Sequence, residues 1–96
     1  MMVLITYDVN TDTNAGKKRL RLIAKQCVNN GQRVQNSVFE CKVDPAQLAE
    51  LKHRLATIID KDKDSIRYYY LGNNWERNIN HIGIKTSYNP DGPIIL

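Results

Sequence analysis

The run Val3-Leu4-Ile5-Thr6-Tyr7 constrains this chain more than any other feature. It is β-branched, aromatic or apolar at odd and even positions alike, so as a strand it leaves neither face to water and belongs in the middle of a sheet. The polar stretch Asp8-Val9-Asn10-Thr11-Asp12 then ends it in a loop. A helix is expected from near Asn14, a candidate N-cap, to about Asn29. Leu20, Ile23, Ala24, Cys27 and Val28 recur there at the three-four spacing of one helical face. Asn30-Gly31 reads as a left-handed stop.

Arg33 to Val43 is strand-like, and the polar pair Asn36-Ser37 divides it into two short strands around a tight turn. Asp44-Pro45-Ala46-Gln47 opens a second helix with Asp at the N-cap, Pro at the first position and Gln closing a capping box. Its buried stripe is Leu48, Leu51, Leu55, Ile58 and Ile59, and Ser65 to Leu71 forms a further strand. The order β-α-β-β-α-β is the ferredoxin-like α+β sandwich, two helices on one sheet. It occupies residues 1–78 as one domain. Residues 79–96 read as a tail with an extra C-terminal strand, His81-Ile82-Gly83-Ile84-Lys85, and the apolar end Ile94-Ile95-Leu96.

Two helices cover one face of a sheet, yet the first strand asks for cover on both. A homodimer stacked through the sheet faces meets that demand, and the tail strand could add to the partner's sheet edge. At 96 residues with 42% hydrophobic content the chain supports a single core and is too apolar for a disordered segment. Met1 to Val9 is too short for a signal peptide, and no apolar run approaches a membrane span, so a soluble cytoplasmic protein is expected. Cys27 and Cys41 lack any C-x-x-C spacing and read as buried free thiols.

Charge is unevenly spread. Between Ala15 and Lys42 stand Lys17, Lys18, Arg19, Arg21, Lys25, Arg33 and Lys42, seven bases against Glu40 alone. That segment is +6 in a chain whose total is +4, the footprint of a phosphate-backbone binder, although many solvated helix faces are basic too. Lys18, Arg21 and Lys25 share a face clear of the apolar stripe, with Lys17 and Arg19 toward its flanks. Arg33, near a strand edge, suits a bidentate phosphate contact.

Asp8 stands where the central strand gives way to a loop, a rigid mount for a metal ligand; the plainer alternative is a turn cap. Mg²⁺ often takes only one or two protein carboxylates with water and phosphate oxygens, and in a two-fold dimer Asp8 could meet its symmetry mate. Asp12 is a nearby reserve. Asp60-Lys61-Asp62-Lys63-Asp64 imitates half a calcium loop, but Ser65 replaces the turn glycine and Leu71 the bidentate Glu, so it reads as a charged loop. His53, near the apolar stripe, reads as a residue at the core boundary, and His81 lacks metal-ligand spacing. Tyr68-Tyr69-Tyr70 alternates across a strand and suits packing. Ser37 has no base partner.

The strand Val-Leu-Ile-Thr-Tyr-Asp, the basic Lys17-Lys18-Arg19-Leu20-Arg21 and the run Gly31-Gln32-Arg33-Val34-Gln35-Asn36-Ser37-Val38-Phe39-Glu40 together resemble the CRISPR-associated protein two family over Val3 to about Leu71. The resemblance implies a ferredoxin-like homodimer that works with the larger CRISPR integrase in acquiring spacers for antiviral defence. It also implies Mg²⁺-dependent phosphodiester cleavage in some members, with the aspartate matching Asp8 as metal ligand. Tyr7, Arg33, Ser37 and Phe39 match further motif positions as supporting residues. Asn30 departs from the pattern, since an aromatic commonly precedes the glycine. Two readings stand side by side. In one, the chain is an endonuclease that uses Mg²⁺, or another hard divalent ion such as Mn²⁺, on double-stranded DNA, with RNA open. In the other, it is a non-catalytic adaptor that binds duplex DNA and bridges integrase subunits. A metal-independent, toxin-like ribonuclease is a third possibility.

Overall fold

The computed structural model describes residues 1–83. Seven elements follow one another: β1 (Met2–Asp8), α1 (Asn14–Asn30), β2 (Gly31–Gln35), β3 (Val38–Lys42), α2 (Pro45–Ile58), β4 (Ser65–Gly72) and the single turn α3 (Trp75–Asn78). The four strands make one sheet in the order β2-β3-β1-β4 with every neighbouring pair antiparallel. This is the ferredoxin-like arrangement expected from the sequence.

β1 is central, as its composition demands, but its two faces fare differently. Val3, Ile5 and Tyr7 point toward the helices and are buried, together with Phe39 and Cys41 from β3, Ile23 and Cys27 from α1, and Leu48, Leu51 and Leu55 from α2. Full burial of such side chains contributes about 1.5–3 kcal/mol each, so these residues supply most of the hydrophobic drive. On the opposite face Leu4 and Thr6 remain only half-buried. Their neighbours there are Glu40 and Val38 on β3 and Tyr69 and Arg67 on β4, and Tyr69 is 43% exposed.

Several local expectations need correction. The N-cap of α1 is Thr13, not Asn14: its hydroxyl accepts from the Gly16 amide at 3.1 Å. Val28 is 55% exposed and does not belong to the buried stripe of α1. Gly31 is extended (φ −169°), so it provides no left-handed stop. A side chain is excluded there for another reason: a Cβ would lie 2.3 Å from the Glu40 carbonyl oxygen and 2.7 Å from the Cys41 sulfur. His53 is exposed rather than at the core boundary.

The capping box of α2 is present in full. Asp44 accepts from the Gln47 amide at 2.7 Å, and the Gln47 side chain accepts from the Asp44 amide at 2.9 Å. β4 closes at Gly72, whose φ of +76° lies in the left-handed region where a side chain is disfavoured. α3 was not foreseen; its Trp75 ring lies 5.9 Å from the Lys42 ammonium. Residues 81–83 carry no strand. The rest of the strand expected over 81–85, and the apolar end at 94–96, lie outside the described residues.

Candidate functional site

Asp8 is the last residue of β1, exposed, and paired across the ladder with Ser65 at the start of β4. It is engaged in no ion pair among the described residues. One residue earlier the backbone is fastened firmly. The Tyr7 amide donates to the Ser37 carbonyl at 3.1 Å and the Tyr7 hydroxyl donates to the Asn36 carbonyl at 3.2 Å. The β2–β3 turn is thereby tied to the end of β1.

Tyr7 also leads into a stack. Its ring lies 6.1 Å from that of Phe39 at an interplanar angle of 21°, and the Arg33 guanidinium sits 5.1 Å from the Phe39 centroid. Desolvation by burial, helped by the Cys27 thiol, raises the Tyr7 phenol above its usual range despite the opposing charge and hydrogen bond of Arg33. Tyr7 therefore stays a neutral donor. Phe39 is fully buried and acts as the floor of this stack, while Arg33 is exposed beside it. Ser37 contributes its carbonyl to the Tyr7 contact. Four residues that the sequence singled out (Tyr7, Arg33, Ser37 and Phe39) thus meet at one corner of the sheet.

On α1, Lys17, Lys18, Arg21 and Lys25 are exposed. Arg19 is not free in the same way. Its Nε donates to Asp64 Oδ2 at 2.8 Å and its Nη2 to Oδ1 at 3.4 Å. Asp64 is the residue that sequence reasoning missed. Far from being part of a solvated charged loop, its side chain has 0% exposure. It also accepts from the backbone amides of Asn10 and Asp60, each at 3.0 Å. Burial pushes the Asp64 carboxyl up, but the Arg19 hydrogen bond, the two amides and the Arg19 charge prevail and hold it below the usual carboxylate range. A signal was available: Arg19 adjoins Leu20 on the inward flank of α1, where an unpaired guanidinium would be costly. Asp12 is exposed, and its amide donates to the Asn10 side chain at 2.9 Å.

Among the described residues no three His, Cys, Asp or Glu side chains gather to hold a metal. Asp8 offers a hard oxygen ligand in no ion pair, mounted on the last residue of the central strand. That suits Mg²⁺ only if a second carboxylate or a substrate phosphate completes the shell. Both cysteines are buried and free; burial pushes the Cys27 thiol up to about 12 and the Cys41 thiol to about 11, which removes them as nucleophiles or ligands near neutrality. A shallow groove of about 300 Å³ between α2 and β4, lined by Lys52, Ile59, Lys61, Ile66 and Tyr68 among others, includes neither Asp8 nor the basic face of α1.

A four-stranded antiparallel sheet with two helices on one face, an acid at the end of its central strand and a basic first helix defines a small ferredoxin-like α+β protein. The family model described as CRISPR associated protein Cas2 matches residues 1–79, and the chain belongs to that family. It is 58% identical over 96 residues to the CRISPR-associated endoribonuclease Cas2 of Nitratidesulfovibrio vulgaris, spanning all of this chain and 94% of that protein. It is 57% identical to the CRISPR-associated endonuclease Cas2 of Halalkalibacterium halodurans, over the full length of both. The crystal structure of Streptococcus pyogenes Cas2 superposes with a TM-score of 0.76 at 64% identity, covering 86% of this chain and all of that one. No helix among the described residues is long and apolar enough to cross a membrane.

Proposed function

We propose that this chain is a Mg²⁺-dependent endonuclease that cleaves phosphodiester bonds of double-stranded DNA and serves CRISPR spacer acquisition as a homodimer working with the CRISPR integrase. The single observation that carries this reading is Asp8: an exposed, uncommitted carboxylate on the last residue of the central strand, with the preceding residue tied down by two hydrogen bonds. Two such carboxylates, one from each copy, would hold the ion. The half-covered sheet face of Leu4, Thr6, Val38 and Tyr69 supports a sheet-to-sheet dimer. Residues 79–96 are the tail assigned to the partner subunit or the integrase.

When bound, Mg²⁺ supplies activation of water and stabilisation of the charge that develops on the phosphate. The chain's own residues do the rest. Lys17, Lys18, Arg21 and Lys25 grip phosphates without reading bases. Arg33, steadied against Phe39, presents its fork to the backbone near the β2–β3 turn. Arg19 is left out of the phosphate grip because Asp64 already holds it. Tyr7 keeps that turn fixed beside Asp8.

The relatives divide in name between endoribonuclease and endonuclease, which favours RNA as a second substrate reading. That no cluster of ligand side chains surrounds Asp8 among the described residues favours the adaptor reading, in which the dimer holds duplex DNA and the integrase performs the chemistry. The test is cleavage of labelled duplex DNA and matched RNA by wild type and Asp8→Asn, with Mg²⁺ and with chelator, at verified dimer mass. The expected outcome is Mg²⁺-dependent cutting of DNA that vanishes in the variant. Binding without cutting, or cutting that survives Asp8→Asn, would refute it and leave the adaptor.

A further inference from the structure

We infer that Asp64 is a positioning residue for Asp8: its buried carboxylate locks the end of β1 to the basic helix α1, fixing the metal-binding oxygen relative to the phosphate-gripping side chains. The inference rests on the metal reading proposed above. Asp64 Oδ1 accepts from the Asn10 amide at 3.0 Å, two residues beyond Asp8. The next residue along, Ser65, pairs with Asp8 itself in the β1–β4 ladder. Asp8 is therefore one of two attachments to the same dipeptide, with Asn10 the other. Both oxygens of the carboxylate also accept from Arg19, Oδ2 at 2.8 Å and Oδ1 at 3.4 Å, and Arg19 lies between Lys18 and Arg21 on α1. The Asp60 amide takes a further lone pair at 3.0 Å, so the carboxylate is satisfied without water and its side chain is fully enclosed.

The surroundings leave this unit little slack. The Asn10 side chain accepts from the Asp12 amide at 2.9 Å, and the Asn10 carbonyl abuts Gly16 so closely that any side chain there would collide with it. Asn10 is thus fixed by its amide, its side chain and its carbonyl together. A planar guanidinium on a carboxylate gives direction as well as attraction. Loss of the Asp64 charge would leave one acceptor oxygen where two now serve Arg19, Asn10 and Asp60, loosening the end of β1 around Asp8 while leaving Lys18, Arg21 and Lys25 in place.

The test uses the full chain with Mn²⁺ as probe, its binding followed by electron paramagnetic resonance, and cleavage of duplex DNA analysed for kcat and KM separately. Asp64→Asn keeps the shape and removes the charge. The expected result is a loss of Mn²⁺ affinity of about tenfold or more, the range of indirect support to a metal ligand, with kcat falling and KM within about twofold of wild type. Should Asp64→Asn not fold, Arg19→Lys, which keeps the cation but undoes the two-point grip, carries the same test. A folded variant with wild-type Mn²⁺ affinity and kcat would overturn the inference and leave Asp64 as a stabilising residue only. A parallel Asp8→Asn sample separates the two levels. If it binds Mn²⁺ as wild type does, the metal reading fails and this inference falls with it.

Discussion

Replacing a helical glycine by alanine normally stabilises, by up to about 1 kcal/mol, because alanine is the better helix former. Gly16 in the first turn of α1 should do the reverse. A Cβ there would stand 1.9 Å from the Asn10 carbonyl oxygen, 3.0 Å from the Asn10 carbonyl carbon and 3.3 Å from the Thr11 Cα. Real Cβ atoms essentially never approach a heavy atom within 3.0 Å, so backbone must separate from backbone by at least 1.1 Å, the difference between those two distances. Neither side yields cheaply. The Asn10 amide is held by Asp64, and the Gly16 amide by the Thr13 hydroxyl. Overpacking of this kind costs about 1–3 kcal/mol, and a clash between two backbones belongs at the upper end. Subtracting the helix-propensity gain leaves about 2 kcal/mol of destabilisation for Gly16→Ala. For a domain of this size that is a fall in Tm of about 8–16 °C. Thermal melts by circular dichroism, at matched protein concentration because association of copies would make Tm depend on it, give the answer. A Tm equal to or above wild type would show that the loop after β1 yields freely, and would refute the description of Asn10 as fixed.

Other outcomes follow from the core and from the shifted acids. Leu55→Ala, at a fully buried position on α2, should cost about 2–5 kcal/mol in urea unfolding; a cost below 1 kcal/mol would mean α2 packs loosely. Cys27 and Cys41, with thiols near 12 and 11, should resist iodoacetamide at pH 8 and react only when denaturant is added, as followed by mass. The unfolded chain releases these thiol protons first, from near the ordinary value of 9.0, and so binds fewer protons than the native state. Stability should therefore fall as pH rises from about 9 through about 11–12, and urea midpoints at pH 8 and 10 test the sign. Asp64 works in the opposite sense. Its carboxyl is depressed below the ordinary value of 3.8, so its stabilisation is present above that pH and is lost as pH falls through the lower native value. Asp64→Asn should flatten the loss of urea midpoint on the acid side, and an unchanged slope would count against the ion pair.

Most of the architecture was legible because it rests on period and punctuation. The two-sided apolar run of β1, the helical spacing of Ile23 and Cys27, and the Asp44–Gln47 box each carry their own physical signature and each formed as expected. The errors lie where local chemistry has two solutions. Thr13 and Asn14 can both cap α1, and only the geometry of Gly16 selects Thr13. Gly31 suits a left-handed stop as well as an extended close approach, and the proximity of β3 decides. For the site, Asp8 at its strand end and the exposed lysines of α1 could be placed from sequence. Asp64 could not, because its significance depends on Arg19 and Asn10, 45 and 54 residues away in the chain. The inward flank of Arg19 asks for an acid, but nothing in the charged run 60–64 says which of its three aspartates answers.

The sheet order has a consequence for how the protein is born. β1 sits between β3 and β4, so the strand synthesised before the other three must wait for both neighbours, the second arriving only at residues 65–72. The ladder partner of Asp8 and the carboxylate that holds Asn10 both lie at the start of that late strand. Non-local pairing of this sort folds slowly. An emerging chain that already carries Asp8, the basic helix and the Tyr7 stack therefore lacks both attachments that fix the end of β1, and acquires them only when residues 64 and 65 arrive.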